Sequence, residues 1–472
     1  MATTKWSTSG IEIHMNDQPI LLKGMCYAPT TKGYSDGVPQ VGDWFYDKCG
    51  CIWSSENNGD RADLAQMKDM GINHIRTYFW WRWQWPTDKD GTEWILQGGW
   101  KANGAPIFDH TRFLDECQKN GIYVMMGLAI DKGNVYTKSP NQQHFIDFYT
   151  DTAREIGKAY GNHPAVMGLV VGNETNDPSL CADINYWNIT SGIANAFKSV
   201  APDKLTMIAF QNDINLLTYT AGGKSVPEIL KETIDVVGLN IYGDPTYTLS
   251  VYNDRQVAAN NGANAMPLIV SEWGVGGGKN VENPKYNDVT FNFPKTRVEP
   301  GGNTVPISPL EGPPYGIALA KEFNEEDFNT ANENMGKYIN AMKKWPFVVG
   351  TEYFEWTDEY WKNKTDPSIL SAIDSGALQL DQWGRYEFPY PMPPNYTGTV
   401  EYRIPTQVDE QDASASPDWP EECWGLFGIE TNPNGPVGWT ELGYMYNPDQ
   451  LLERPTVGAL KALLAGWTVQ NE

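Results

Sequence analysis

Eight apolar segments of strand length recur along the chain, separated by stretches with helical spacing or rich in turn residues. This alternation constrains the fold more than any other feature. The segments are LLKGMCYAP (21–29), INHIRTYFW (72–80), IYVMMGLAI (122–130), AVMGLVVGN (165–173), LTMIAFQ (205–211), VVGLNIYG (236–243), PLIVSEWG (267–274) and FVVGTEYFEW (347–356). Their near-continuous apolar character suits strands buried on both faces, as in a parallel sheet. Helical spacing fills RADLAQMKDMG (61–71), FDHTRFLDECQKNG (108–121) and HFIDFYTDTAREIGKAYG (144–161). Each of these ends on the glycine expected of a C-terminal cap. Eight strand–helix units predict an α/β fold of the closed (β/α)8 TIM-barrel type.

The remaining segments decorate that barrel. Residues 11–22 (IEIHMNDQPILL) read as a hairpin turning at Asn16-Asp17, placed to cover the barrel's base. Two long excursions, 275–323 and 357–420, are too long for ordinary connections. They are expected to wall the C-terminal face. The segment RPTVGALKALLAGW reads as an amphipathic helix that completes the ring. With no internal repeat, residues 1–472 are expected to form one catalytic domain.

Composition narrows the ligand. A formal charge of −24 disfavours nucleic acid, whose phosphates would be repelled, although a well-solvated surface accounts for the charge equally well. No apolar run is long enough to predict a membrane span. Nineteen Trp and 24 Tyr suit a cleft for glycans, since flat rings stack on the C–H faces of sugars. Most of these rings are expected in the core. The cluster FWWRWQW (79–85) packs too many into one run for all to point inward. Six cysteines, with no CxxC, HExxH or Cys/His cluster, give no reason to expect a metal or another cofactor. Cys49 and Cys51 are candidates for bridges to distant partners. GVGGGKN (274–280) is Gly-rich but opens no clear helix, so it is not read as a phosphate loop. The opening MATTKWSTSG has no basic-then-apolar leader. The expectation is a secreted or periplasmic protein whose leader has been removed, with a cytoplasmic location as the alternative. Sequons at Asn188, Asn363 and Asn395 fit secretion weakly. Oligomeric state is not legible.

Barrels of this type carry their chemistry at the C-terminal ends of the strands. The fourth strand ends on Asn173-Glu174 and the seventh on Ser271-Glu272-Trp273. Two carboxylates facing each other across the mouth at roughly 5 Å would serve a retaining glycosidase, one as acid/base and one as nucleophile. Their repulsion would keep one protonated. Arg76 and Tyr78 close strand two, where an arginine could hold a nucleophile ionised. Asn173 could bind a sugar 2-hydroxyl, the hydroxyl of Tyr242 could reach Glu272, and Trp356 could floor the subsite of the reacting sugar. Glu352, Glu355, Asp358 and Glu359 crowd the eighth strand end. Of these Glu355 is the rival carboxylate, ranked below Glu272.

At these residues the chain resembles clan A of the glycoside hydrolases, marked by Asn-Glu after strand four, Glu after strand seven and an aromatic after strand eight. The resemblance covers about residues 11–360. It implies that Glu174 is the acid/base and Glu272 the nucleophile. The series QPILLKGMCYAP, RADLAQMKDMGINHIRTY, NGIYVMMGL, GNETND, LNIYGD and SEWG is similar to the β-1,3-glucanosyltransferases of family 72. Tyr27, Tyr78, Asn173, Glu174, Tyr242 and Glu272 fall on matching motif positions. The chain departs from that family at Gly127, where the family carries Asp, at Phe354, where it carries Tyr, and in its cysteine framework. The tail FEWTDEYWK … DWPEECWGLFGI instead resembles bacterial enzymes related to families 2, 5 and 17. The resemblance implies a retaining enzyme that cleaves or transfers β-glucan, with β-1,3 the expected linkage, through a covalent glycosyl-enzyme. Alternatives are a hydrolase of another β-linked polysaccharide, such as mannan or galactan, and a non-catalytic carbohydrate-binding barrel. An oligo- or polysaccharide is the expected partner.

Overall fold

The computed structural model describes residues 4–29, 45, 47–78, 80, 109–128, 130, 132–138, 140–275, 325–357 and most of 425–469. It also describes strand segments between 289 and 306 and between 396 and 404. Eight parallel strands close into a barrel. They are β1 (Leu22–Cys26), β2 (His74–Arg76), β3 (Tyr123–Gly127) and β4 (Val166–Asn173), then β5 (Leu205–Gln211), β6 (Val236–Asn240), β7 (Leu268–Trp273) and β8 (Val348–Tyr353). Each falls inside one of the eight apolar segments. Closure is direct, with β8 pairing with β1 from Gly350–Leu22 to Tyr353–Met25.

Helices α1 (Asp63–Asp69), α2 (Thr111–Asn120), α3 (Gln142–Tyr160), α4 (Ile184–Lys198), α5 (Val226–Thr233), α6 (Pro245–Tyr252), α7 (Glu325–Met342) and α8 (Pro455–Ala465) follow the strands in order. Their starts are chemically marked. The Asp183 carboxylate accepts from Asn185 N at 2.9 Å ahead of α4, and Asp244 accepts from Thr246 N at 2.9 Å ahead of α6. Gly121 ends α2 in the left-handed region at φ 71°, as a cap glycine should. Gly161 behaves otherwise. It stays right-handed at φ −57°. A Cβ there would come within 2.4 Å of Gly157 O and 2.6 Å of Ala201 Cβ, so close approach is what requires glycine.

Two cores result from the period-2 alternation of the strands. The outward faces and the helices share one large cluster, which includes Met25, Ile75, Val124, Leu169, Val171, Ile208 and Val270. The barrel interior holds the second, with Leu22, Met125, Met167, Met207, Val236, Ile269 and Val349. Trp6 and Ile13 belong to this inner cluster, so the N-terminal segment covers the barrel's base. That segment is larger than the hairpin read from the sequence. Three strands, Trp6–Ser9, Glu12–Met15 and Gln18–Pro19, form a meander. Its second turn is at Asn16 and Asp17, at φ 51° and 63°, the paired left-handed conformation of a type I′ turn. Lys204 Nζ fastens it by donating to Thr4 O at 2.9 Å and to Val166 O at 2.8 Å.

Among the described residues no helix is long and apolar enough to cross a membrane, and no group of side chains could hold a metal ion. Cys51, proposed for a bridge, is a free thiol. Most of both excursions, and of FWWRWQW, lies outside the described residues. Trp80 is the exception: it is 2% exposed and packs against Phe45 and His110 in the core.

Candidate active site

The strand ends at the C-terminal mouth are not regular. Between Val170 and Asn173, β4 runs three residues against two of β5. On β7 the step from Val270 to Glu272 faces a single step from Leu239 to Asn240 on β6. From the other side, Val270 to Trp273 faces only Thr351 to Tyr353. Each strand therefore carries one extra residue, a bulge that re-aims the side chains beyond it. Past the first bulge Glu174 takes a left-handed backbone at φ 50°, its N–H held by Ala209 O at 2.8 Å. A non-glycine residue there costs about 1 kcal/mol or more, a strain characteristic of positions fixed for function.

Glu272 is nearly closed from solvent, and among the described residues three groups donate to it. Oε1 accepts from Arg76 Nη1 at 3.1 Å and from Tyr78 OH at 2.9 Å. Oε2 accepts from Tyr242 OH at 2.9 Å. Burial pushes this carboxyl up from the usual carboxylate range, while Arg76 opposes the rise. The nearby charge of Glu174 adds to it, and the two tyrosines oppose it. Burial also holds Tyr78 well above the ordinary phenol range, so it remains a donor.

Arg76 is the hub beneath. It is 1% exposed, and its Nη1 also donates to Ser271 O at 2.6 Å. Its Nη2 donates to Asn173 Oδ1 at 2.6 Å. Glu174, half-buried, accepts from Asn240 Nδ2 at 2.9 Å and from Gln211 Nε2 at 3.1 Å. Asn240 ties the two halves together. Its amide nitrogen also reaches Asn173 Oδ1 at 3.2 Å, and its oxygen accepts from Ser271 Oγ at 2.9 Å.

The structure thus gathers Arg76, Tyr78, Asn173, Glu174, Tyr242 and Glu272 into one hydrogen-bonded cluster. Two other residues named from the sequence stand elsewhere. Tyr27 is fully buried in the outer core, its hydroxyl donating to Asp63 Oδ2 at 2.9 Å. Leu22 and Cys26 on β1 face inward, so alternation turns Tyr27 out, away from the mouth. Trp356 is 1% exposed, with its ring centroid 4.5 Å from that of Phe427, and offers no open face for a sugar. It lies past the end of β8, where the chain leaves the barrel to bridge Thr357 to Phe427. Glu355, the rival carboxylate, is likewise closed from solvent. Asp358 and Glu359 lie outside the described residues.

Three participants were not singled out from the sequence, Asn240, Gln211 and Ser271, while Phe354, noted there only as a departure from a motif, is a contact residue. Phe354 stands edge-on to Tyr78 and Tyr242, at 6.3 and 6.4 Å between centroids, and spaces the two tyrosines that donate to Glu272. An asparagine inside the apolar run VVGLN was the available signal for Asn240. The space around Gly127 excludes a side chain. A Cβ there would lie 2.2 Å from Thr77 O and 2.3 Å from Tyr78 O, so the chain leaving β2 passes where a side chain would stand. A recess of about 210 Å³ opens beside the cluster, lined by Arg76, Tyr78, Gly127, Leu128, Gly172 and Asn173 among others.

No family model and no curated protein matches the chain. Solved structures similar to it include β-glucuronidases. That of Bacteroides uniformis is 16% identical over 75% of this chain and 33% of its own, with a TM-score of 0.42. That of Ruminococcus gnavus is 13% identical over 75% and 47%, with a TM-score of 0.44. That of Lactobacillus rhamnosus is 16% identical over 75% and 46%, with a TM-score of 0.43. The chain spans between a third and just under half of those proteins' length.

Proposed function

We propose that the chain is a retaining enzyme of β-linked glycans, with Glu272 as nucleophile and Glu174 as acid/base. The observation that carries this reading is the three-donor cradle of Glu272 set against a second carboxylate at the facing strand end. Donors alone around a carboxylate favour its ionised form, the form that attacks an anomeric carbon. Arg76 also fixes Glu272 in direction, so the attack starts from an aligned geometry. Glu174 delivers a proton to the glycosidic oxygen as the bond breaks. It then takes one from the incoming water or sugar hydroxyl that releases the glycosyl-enzyme. Gln211 and Asn240 suit both forms of Glu174, because a primary amide can either donate or accept. Asn173 engages its oxygen with Arg76 and Asn240, which leaves its amide nitrogen for the sugar 2-hydroxyl. That contact strengthens as positive charge develops on the ring.

For the substrate we propose β-glucan, with the β-1,3 linkage supported by the sequence motifs around Tyr78, Asn173-Glu174, Tyr242 and Glu272. The test is a product profile on a β-1,3-gluco-oligosaccharide of defined length, read by mass over time. Products longer than the substrate identify transfer, and shorter ones alone identify hydrolysis. No turnover would remove β-1,3-glucan and turn the search to mannan and galactan. Glu272→Gln should abolish turnover, while Glu174→Gln should regain part of it on substrates with good leaving groups. Near-normal activity in Glu272→Gln would refute the assignment.

A further inference from the structure

Directly below Arg76 the barrel interior holds two ionisable side chains that the proposed reaction does not use. His74 on β2 and Glu352 on β8 are both fully buried and meet at 2.6 Å, Nε2 to Oε1. The other ring nitrogen, Nδ1, lies 3.1 Å from Tyr123 O. A carbonyl oxygen can only accept, so Nδ1 carries a hydrogen. The second contact then needs a hydrogen as well, on Nε2 or on the Glu352 carboxyl. Either way the pair holds one proton between its facing atoms and is neutral as a unit. The other oxygen of Glu352 faces Arg76 Nε at 3.8 Å. The fold reserves space for this arrangement. A Cβ on Gly24 would lie 2.7 Å from the His74 ring and 3.1 Å from Glu352 Cγ.

We infer that His74 and Glu352 form a buried positioning pair, sharing one proton, that keeps the charge of Arg76 available to Glu272. The inference builds on the proposed role of Glu272. Its logic is charge balance. Arg76 has a carboxylate on either side, Glu272 at 3.1 Å and Glu352 at 3.8 Å. An uncompensated Glu352 would compete for the guanidinium, whereas a neutral pair lets Glu272 be the counter-ion. The other groups around these residues are Cys26, Tyr78, Tyr242 and Glu174. Burial pushes the Cys26 thiol and the Tyr78 hydroxyl well up, so neither adds a charge beside Arg76.

The experiment titrates the Glu272 carboxyl by 13C NMR in glutamate-labelled protein without substrate, the resonance being assigned by its loss in Glu272→Gln. His74→Gln keeps a donor to Glu352 but removes the ring's proton. It should raise the Glu272 midpoint by about one pH unit, because an added like charge disfavours ionisation. Glu352→Gln should leave the midpoint within a few tenths of a unit. The double variant should return it to the wild-type value, which a purely structural role would not do. Equal shifts in both single variants, or no shift with only a lowered melting temperature, would overturn the inference. Should His74→Gln not fold, 15N NMR of the wild-type imidazole decides. A hydrogen on Nδ1, facing Tyr123 O, is expected, and an unprotonated Nδ1 would overturn the pair. Since no glycan is used, an enzyme inactive on every β-glycan would sink the proposed reaction and leave this result untouched.

Discussion

Tyr242→Phe is the sharpest probe of the Glu272 cradle, because it removes one donor without opening the core. The side chain is 42% exposed, so the variant should fold, and its hydroxyl is the partner of Oε2 at 2.9 Å. A hydrogen bond to a charged group contributes about 1.5–3 kcal/mol when buried. With Tyr242 this open, water replaces part of it, and about 1 kcal/mol is a reasonable share. One pKa unit corresponds to about 1.4 kcal/mol, so Glu272 should rise by about 0.7 unit. The sign follows from the chemistry. Glu272 attacks only when ionised, the donor stabilises the ionised form, and its removal raises the pKa. Activity should therefore fail at higher pH on the acid side. The assay is the pH dependence of kcat/KM on a turned-over gluco-oligosaccharide, whose acid limb reports the free enzyme. Tyr78→Phe offers a control of depth. Its hydroxyl is less open to water than that of Tyr242, so its loss should move the limb further, by about one unit. An unmoved limb in both variants, or one displaced to lower pH, would refute the cradle as the device that holds Glu272 ionised.

Three other substitutions test the rest of the site. Asn240→Ala removes the link between the halves and one donor to Glu174. It should lower kcat/KM by about two orders of magnitude, a drop of the size seen when a preorganised donor is lost; an intact rate would show that Asn240 only fills space. Tyr27→Phe should cost about 1 kcal/mol in denaturant unfolding through the lost bond to Asp63 and leave kcat/KM unchanged; a changed rate would bring Tyr27 back to the site. Gly127→Asp drives a side chain against two backbone carbonyls, so stability should fall by about 3 kcal/mol; a neutral outcome in thermal melts would contradict the geometry around β3.

Much of this was legible in the sequence because strands buried on both faces leave a strong signal. All eight segments became barrel strands, and the carboxylates stood where apolar runs stop. Alternation also held the answer for Tyr27, since Leu22 inward implies Cys26 inward and Tyr27 outward. What could not be read was anything dependent on a bulge. A single extra residue in β4 and in β7 changes which side chains share a face. Asn240 beside Ser271, or Glu174 within reach of Gln211, therefore has no expression in residue spacing. The burial of Trp356 was not legible for a related reason, because periodicity carries no information once the strand has ended. The pair His74 and Glu352 is 278 positions apart in the chain, and nothing local links them.

The closure of β1 on β8 has a consequence for how the molecule is made. Leu22 leaves the ribosome more than 300 residues ahead of its strand partner Gly350. The meander that carries Trp6 and Ile13 likewise waits for Lys204 and for the inner residues Leu205, Val236 and Val349 before it has a surface to cover. The meander is thus made well before the surface that buries it. Contacts of such long separation are slow to form and leave apolar surface open during synthesis. Trp6 and Ile13 should therefore be the exposed residues that a chaperone or a protease finds on the nascent chain.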